Sequence, residues 1–405
     1  MDGSSTLSDL RVIECADGVA GPYCGKLLAD LGAEVVKVEP PGGDSSRRFG
    51  PFPGDRPHLE RSGQFLYLNS NKRGVTLDLE HAAGVEVLTR LAADADVLIL
   101  DRPRSQLEAL GIDVDALREA NEGLVVTVLT PYGFTGPYKD WAGNAHTVYQ
   151  MSGMGRETPS GYVTDPEHEP PLSPGNPQAD YLTGVTAATS TMVAITYRRV
   201  YGGGQLVDVS GVEANTNHVR MNWNMFAYNP DLLGGREKAA FGQVIECKDG
   251  HIFFAPYGLD HWWMSLRRMM GDPEWARDEV YLTGPGRTAN VNNIEPHVRA
   301  WALNHTRDEL YWMSIENKVP CFPVYSASEM RASPQLEARG FFIEVEHPEA
   351  GSFVQPGAPV QQTGSRWAID RPAPRLGEHT DEVLSELGYS HDAIVALFRD
   401  GAIQG

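Results

Sequence analysis

Short apolar runs alternate with helical spacing along the first 135 residues. RVIECA from Arg11, AEVVKVE from Ala33, DVLIL from Asp96 and LVVTVLTPYG from Leu124 are rich in β-branched residues and bounded by Gly, Asp or Pro. Runs of that length read as buried strands, because a strand covered on both faces need not alternate apolar with polar. Between them, apolar positions recur at helical spacing over Tyr23 to Leu31 and Ala82 to Ala93, with two shorter helical stretches after DVLIL. The rhythm predicts a parallel sheet flanked by helices, an open doubly wound α/β layer of Rossmann-like type. The triple glycine at Gly202 to Gly204 reads as a turn into a further strand, QLVDVS.

The pattern changes after Val212. TNHVRMNWNMFAYNPDLLGG brings in aromatic and methionine residues, and Met221, Trp223, Met225, Phe226 and Tyr228 are candidates to line an acyl pocket. VIECKDGHIFFAPYG then reads as a hairpin turning at Asp249-Gly250. Helical patterns over Asp260 to Met270, Asn293 to Leu303 and Arg307 to Glu316 complete a second, smaller α+β domain. The strand pair FFIEVEH and SFVQPGAPVQ, with the short helices after it, is too small to form a core of its own and returns to the first domain. The expected division is a large domain over 1–200, a linker over 201–225, a small domain over 226–325, and a linker with the C-terminal return over 326–405.

Composition narrows the function classes. At 405 residues, 41% hydrophobic and 22% charged, the chain is an ordinary globular protein with room for two domains. A formal charge of −20 argues against nucleic acid or an anionic membrane as partner, since both need a basic surface. The start, MDGSSTLSDL, lacks the basic and apolar regions of a signal peptide, so a cytoplasmic location is expected. Cys15, Cys24, Cys247 and Cys321 form no CxxC pair, and the histidines form no HExxH, so neither a disulfide framework nor a metal site is expected. GxGxxG is also absent after the first strand, which argues against a nicotinamide dehydrogenase.

One carboxylate stands out. Asp180 lies where the stiff loop PLSPGNP gives way to a helix of small residues, QADYLTGVTAA. A carboxylate in a first helical turn is most often a cap. ADYLTG after a Pro/Gly loop resembles, however, the segment carrying the nucleophilic aspartate of family III CoA-transferases. Five further segments resemble the same family in the same order: AGPYCGKLLADLGAEVVKVEPPGGDSSR from Ala20, LNSNKRGVTLDL from Leu68, GGGQLVDVSGVEA from Gly202, SPQLEARGFFIEVEHPEAG from Ser333 and APRLGEHTDEVLSELGYS from Ala373.

The resemblance implies an interlocked dimer of ring-like chains, either a homodimer or a heteromer with a homologous subunit. It implies a CoA thioester as substrate, with no permanently bound cofactor, and a carboxylic acid as acceptor. Asp180 is the implied nucleophile, passing through an aspartyl anhydride and an aspartyl-CoA thioester. CoA contacts are implied at Val19, Ala20, Leu77, Leu79 and Asp101, with Arg102 and Arg104 as candidates for its phosphates. Lys37, Arg47, Arg48, Lys72 and Arg73 are further basic candidates, each otherwise read as a solvated surface charge. Asn144 and His146 are expected near the site.

The chain also departs from the family pattern. Pro40 stands where several members carry a basic residue, LDRPRS replaces a stretch like ENFRPG, and only Gly242-Gln243 remains where formyl-CoA transferase has a glycine lid. Two alternatives follow. An α-methylacyl-CoA racemase pairs a His and an Asp as acid and base, but AGNAH puts Asn144 at the histidine's place, and an amide exchanges no proton at neutral pH. A partner-dependent subunit of a heteromeric transferase would use this chain mainly as scaffold.

Overall fold

The structure is a computed structural model describing residues 5–156, 158, 165, 168–229 and 243–404, with backbone alone at 220–222, 225 and 243. It falls into two compact units, one of residues 1–154, 173–220 and 338–405, the other of 155–172 and 221–337.

The first unit is built on a six-stranded sheet. In chain order its elements are β1 (Arg11–Cys15), α1 (Ala20–Ala29), β2 (Glu34–Glu39), α2 (Gly63–Leu68), β3 (Lys72–Thr76), α3 (Ala82–Ala93), β4 (Val97–Leu100), α4 (Arg104–Ala109), α5 (Val114–Ala120), β5 (Val125–Thr130), α6 (Ala145–Met151), α7 (Gln178–Tyr201), β6 (Leu206–Ser210) and α8 (Gly211–Thr216). The strands run parallel in the order β3-β2-β1-β4-β5-β6, with Val12 in register with Val35 on one side and Val97 on the other. The Rossmann-like α/β class expected from the sequence is the observed one.

Both faces of the sheet are covered, which is why the strands read as unbroken apolar runs. Val12, Val35, Val97 and Val125 point to one face, where they pack with Cys24 and Leu28 of α1 and Ala187, Ala188 and Ile195 of α7. Their neighbours Ile13, Val36, Leu98 and Val126 point to the other, against Leu88 and Leu91 of α3, Leu107, Leu117 and the C-terminal Val383, Leu384 and Ile394. The C-terminal segment, with helices Thr380–Glu386 and His391–Arg399, thus completes this core.

The small residues of α7 permit a close approach to α1. A Cβ added at Gly184 would stand 2.6 Å from Ala20 O and 3.2 Å from Tyr23 Cβ, so only glycine fits there. The helix stops at Gly202, whose φ of 78° is left-handed.

Strand β3 is not among the apolar runs that the sequence offers as strands. All five residues of β3 are buried, and its charged start is tolerated because Lys72 and Arg73 meet carboxylates described below.

The second unit has a three-stranded antiparallel sheet of Gln243–Cys247, Gly250–Phe254 and Cys321–Pro323. Helices Asp260–Met269, Val291–Ala302 and Arg307–Asn317 bury Trp263, Leu266, Ile294, Val298 and Leu310 with Ile252 and Phe254 of that sheet. Among the described residues no helix is long and apolar enough to cross a membrane.

Candidate active site

In an open parallel sheet, ligands bind beyond the carboxyl ends of the strands where the order reverses, here between β1 and β4. A cleft of about 330 Å³ lies at that point, lined by residues that follow four strands: Cys15 to Asp17, Val38 to Pro41 with Asp44, Leu77 to Glu80, and Asp101 and Arg102. Four residues singled out in the sequence, Leu77, Leu79, Asp101 and Arg102, therefore meet in one cleft. Val19 and Ala20 lie at the start of α1, which has no side-chain cap.

The cleft wall is acidic. Asp17 N donates to Asp101 Oδ2 at 2.6 Å, Ser45 N to Asp17 Oδ1 at 2.6 Å, and Gly18 N to Asp44 Oδ1 at 3.2 Å. Burial pushes the Asp101 carboxyl up to about 7, outweighing the Asp17 N–H that favours its charge, and the Asp17 carboxylate adds to the rise. Burial and then the neighbouring Asp44 also push Asp17 up. Among the described residues Arg102 has no hydrogen-bond or ion-pair partner, which leaves it the available cation of the cleft.

The other basic candidates are occupied, and four of them are buried. Lys37 Nζ is fully buried, 2.7 Å from Asp44 Oδ2 and 3.2 Å from Glu14 Oε1, and Lys72 Nζ lies 2.7 Å from Glu14 Oε2. Arg47 donates twice to Glu39, at 2.6 and 2.8 Å, and once to Glu60 at 2.7 Å. Arg73 is bound by Glu34, Glu382 and Glu386. The charges of these four are taken up by carboxylates of the chain, and none of the four lines the β1/β4 cleft. Arg48 is exposed but donates to the carbonyls of Gly42 and Gly43. Arg104 pairs with Asp115 at 2.8 Å, lies over the Phe134 ring and is not among the residues lining the cleft.

Asp180 is the third residue of α7, as its loop-to-helix setting predicts, yet it does not cap the helix. Its N–H bonds Pro177 O at 3.1 Å, while its carboxylate has no hydrogen-bond or ion-pair partner among the described residues. Burial alone pushes its pKa up to about 6. Desolvation therefore overrides the helix dipole, which by itself favours a charged carboxylate. A partly buried carboxylate so placed, without a partner among the described residues, is available to form a bond.

Asn144 and His146, both expected near the site, are exposed. Asn144 is the N-cap of α6, accepting from Thr147 N at 3.0 Å. Trp223, Phe226 and Tyr228 are exposed. The side chains of Met221 and Met225, and Gly242 of the expected lid remnant, lie outside the described residues. Among the described residues no cluster of three or more His, Cys, Asp or Glu side chains is placed to hold a metal.

The chain matches CoA-transferase family III over residues 7–380 and belongs to that family. It is 33% identical to the succinate–glutarate CoA-transferase of Agrobacterium fabrum, over 94% of this chain and 95% of that protein. It is 32% identical to the succinyl-CoA:(R)-benzylsuccinate CoA-transferase subunit BbsE of Thauera aromatica, over 98% of each. The crystal structure of a CAIB/BAIF family protein from Brucella suis superposes with a TM-score of 0.83 at 26% identity, covering 95% of this chain and 99% of that one. The protein is a CoA-transferase, acting between an acyl-CoA and a carboxylic acid.

Proposed function

We propose that Asp180 is the nucleophile of a covalent transfer. The observation that carries this reading is its desolvated carboxylate, unpartnered among the described residues, at the start of α7. An Asp180 oxygen attacks the thioester carbonyl carbon, and the C–S bond electrons leave with CoA thiolate, giving an aspartyl anhydride. The thiolate then attacks Cγ of Asp180, and the donor acid leaves as its carboxylate. The acceptor carboxylate attacks the same Cγ, CoA thiolate leaves again, and a second anhydride forms. Attack of the thiolate on the acceptor's acyl carbon restores Asp180. No net proton or water is used, so any water reaching Cγ hydrolyses an intermediate. Hydroxylamine added during turnover is expected to convert Asp180, and no other carboxylate, to a hydroxamate detectable by peptide mass spectrometry; turnover without that product counts against the reading.

For CoA itself, the cleft between β1 and β4 takes the nucleotide end. Leu77 and Leu79 supply apolar surface, and Arg102 meets the 3′-phosphate. The uncapped first turn of α1, with the N–H groups of Ala20 and Gly21, suits the diphosphate, because a helix N-terminus favours anions. Arg102→Ala is expected to raise KM for an acyl-CoA by roughly 10-fold to 100-fold, the range for losing a charged hydrogen bond. The same thioester of dephospho-CoA is expected to lose little, and equal losses on both donors would reject the assignment.

Two relatives carry names with succinyl, glutarate or benzylsuccinate, so we take succinyl-CoA as donor and a dicarboxylic acid as acceptor as the first pair. One of them is named a subunit. We assign the partner here to a second copy of this chain: sedimentation of the purified protein is expected to give a dimer with full transferase activity, and a purified chain active only with added homologue contradicts this.

A further inference from the structure

The peptide unit that leads into Asp180 is held at both ends. Its N–H is bonded to Pro177 O at 3.1 Å. Its carbonyl, Ala179 O, accepts from Thr183 Oγ1 at 2.7 Å and from Asn215 Nδ2 at 3.1 Å. Asn215 lies in α8, fully buried, and the same Nδ2 lies 3.2 Å from Thr183 Oγ1 and 2.9 Å from Gly211 O. Two side chains from outside the first turn thus fix the plane of the peptide on which the Asp180 side chain is mounted.

The neighbouring contacts place this clamp beside the carboxylate. Positions three and four residues apart share a helix face, so Asp180 lies one turn before both Thr183 and Gly184. Thr183 is seated against α8, and Gly184 is seated against Ala20 O of α1. Asp180 therefore sits over the junction of two fixed contacts, with Pro177 behind it.

Asn215 keeps this geometry at a cost. Its Oδ1 is buried with no donor among the described residues. A buried acceptor left without a donor is unfavourable, and an apolar side chain of similar size would avoid that cost. Local rules are broken in this way chiefly where function needs the geometry.

We propose that Asn215 and Thr183 are positioning residues for the transfer reaction, orienting the Asp180 carboxylate through the Ala179–Asp180 peptide. The inference rests on Asp180 being the nucleophile. Attack on a thioester requires near-contact and alignment, and a misplacement of about 1 Å costs roughly 10²-fold in rate. Thr183→Val removes the hydroxyl and keeps the shape, Thr183→Ser keeps the hydroxyl, and Asn215→Leu removes the amide.

The test uses the full chain with succinyl-CoA and a dicarboxylic acid, reading kcat, KM, hydroxamate formation at Asp180 and the pH profile of kcat/KM. Thr183→Val and Asn215→Leu are expected to lower kcat by roughly 10-fold to 100-fold with KM within about threefold, and Thr183→Ser is expected to restore turnover. As the turn loosens and water reaches Asp180, the acid limb of the profile is expected to move below its wild-type position, a change that a general loss of stability does not produce. If Asn215→Leu fails to fold, the two Thr183 variants decide alone. Wild-type kcat in Thr183→Val, or equal losses in Thr183→Val and Thr183→Ser, overturns the inference while the wild-type Asp180 adduct stands. A wild type that yields no adduct and an Asp180→Ala variant that still turns over overturn the nucleophile reading and this inference with it.

Discussion

Replacing Asp180 with alanine is expected to lower CoA transfer by about 10⁴-fold or more, the scale that accompanies removal of a covalent nucleophile. The fold is expected to survive intact. The Asp180 carboxylate neither caps α7 nor bonds any described group, and α7 is anchored instead by Ala187, Ala188 and Ile195 against the sheet and by Gly184 against α1. Its raised pKa gives the sign of the stability change. A carboxyl whose folded value is about 6, above the ordinary value near 4, contributes stability that is complete below the ordinary value and is lost as pH rises through 6. At neutral pH the alanine variant is therefore expected to be as stable as the wild type or more so. CoA binding, which rests on the β1/β4 cleft in this reading, is expected to persist. Thermal unfolding, a CoA titration and turnover, measured on one preparation, separate these effects; an alanine variant with more than about a hundredth of wild-type turnover, far above the loss expected for a nucleophile, would falsify the assignment.

The same carboxylate predicts the acid limb of the wild-type profile. If Asp180 is the nucleophile, only its ionised form attacks, and kcat/KM is expected to rise with pH through about 6 and then level. An ordinary carboxylate would give a limb near 4. A limb there would mean that Asp180 is solvated in the working enzyme.

How far these features were legible in the sequence depends on what each residue meets in space. Strands β1, β2, β4 and β5 could be read from RVIEC, EVVKVE, VLIL and VVTVLT, because burial on both faces leaves an apolar run that needs no partner to be recognised. Strand β3 could not, since KRGVT opens on two charges whose neutralising partners are Glu14, far back in the chain, and Glu382 and Glu386, far ahead. Lys37 and Arg47 looked like surface charges because nothing in sequence spacing marks Asp44, Glu14, Glu39 and Glu60 as their buried partners. Leu77, Leu79, Asp101 and Arg102 were named only through the family resemblance; that they share one cleft follows from their positions after parallel strands, whose ends gather at one sheet edge. Asp180 was legible only through family resemblance, as its local pattern reads equally as a helix cap. Asn215 and Thr183 carried no sequence signal: VEANTN is one more polar helix, and the bond from Asn215 to Ala179 O links residues 36 apart in sequence.

Lys37→Met is expected to be the most destabilising single change in the first unit, at about 3–5 kcal/mol, the range for stranding buried charges by removing their partner. Lys37 is fully buried and its ammonium serves three acceptors, Asp44 Oδ2, Glu14 Oε1 and Ala16 O at 3.1 Å. Burial opposes the charge of Asp44, yet Lys37 and then Ser46 hold that carboxyl down to about 2. Because the folded value lies below the ordinary one near 4, this stabilisation is present above pH 4 and is lost as pH falls towards 2. Without the ammonium the sign reverses. Asp44 and Glu14 become buried carboxylates without that partner, the folded pKa of Asp44 rises as burial goes unopposed by Lys37, and the variant's deficit is expected to shrink as pH falls from 7 to 5. Urea unfolding at both pH values measures this. The triple variant Lys37→Met, Glu14→Gln, Asp44→Asn, which removes the stranded charges as well, is expected to recover much of the loss. A single variant within about 1 kcal/mol of wild type at pH 7, the worth of a mere surface pair, rejects the argument. The consequence reaches the site, because Asp44 also accepts from Gly18 N and Lys37 from below fixes Ala16 O, so these charges set the floor of the β1/β4 cleft. A weakened Lys37 network is thus expected to raise KM for acyl-CoA before it affects the chemistry at Asp180.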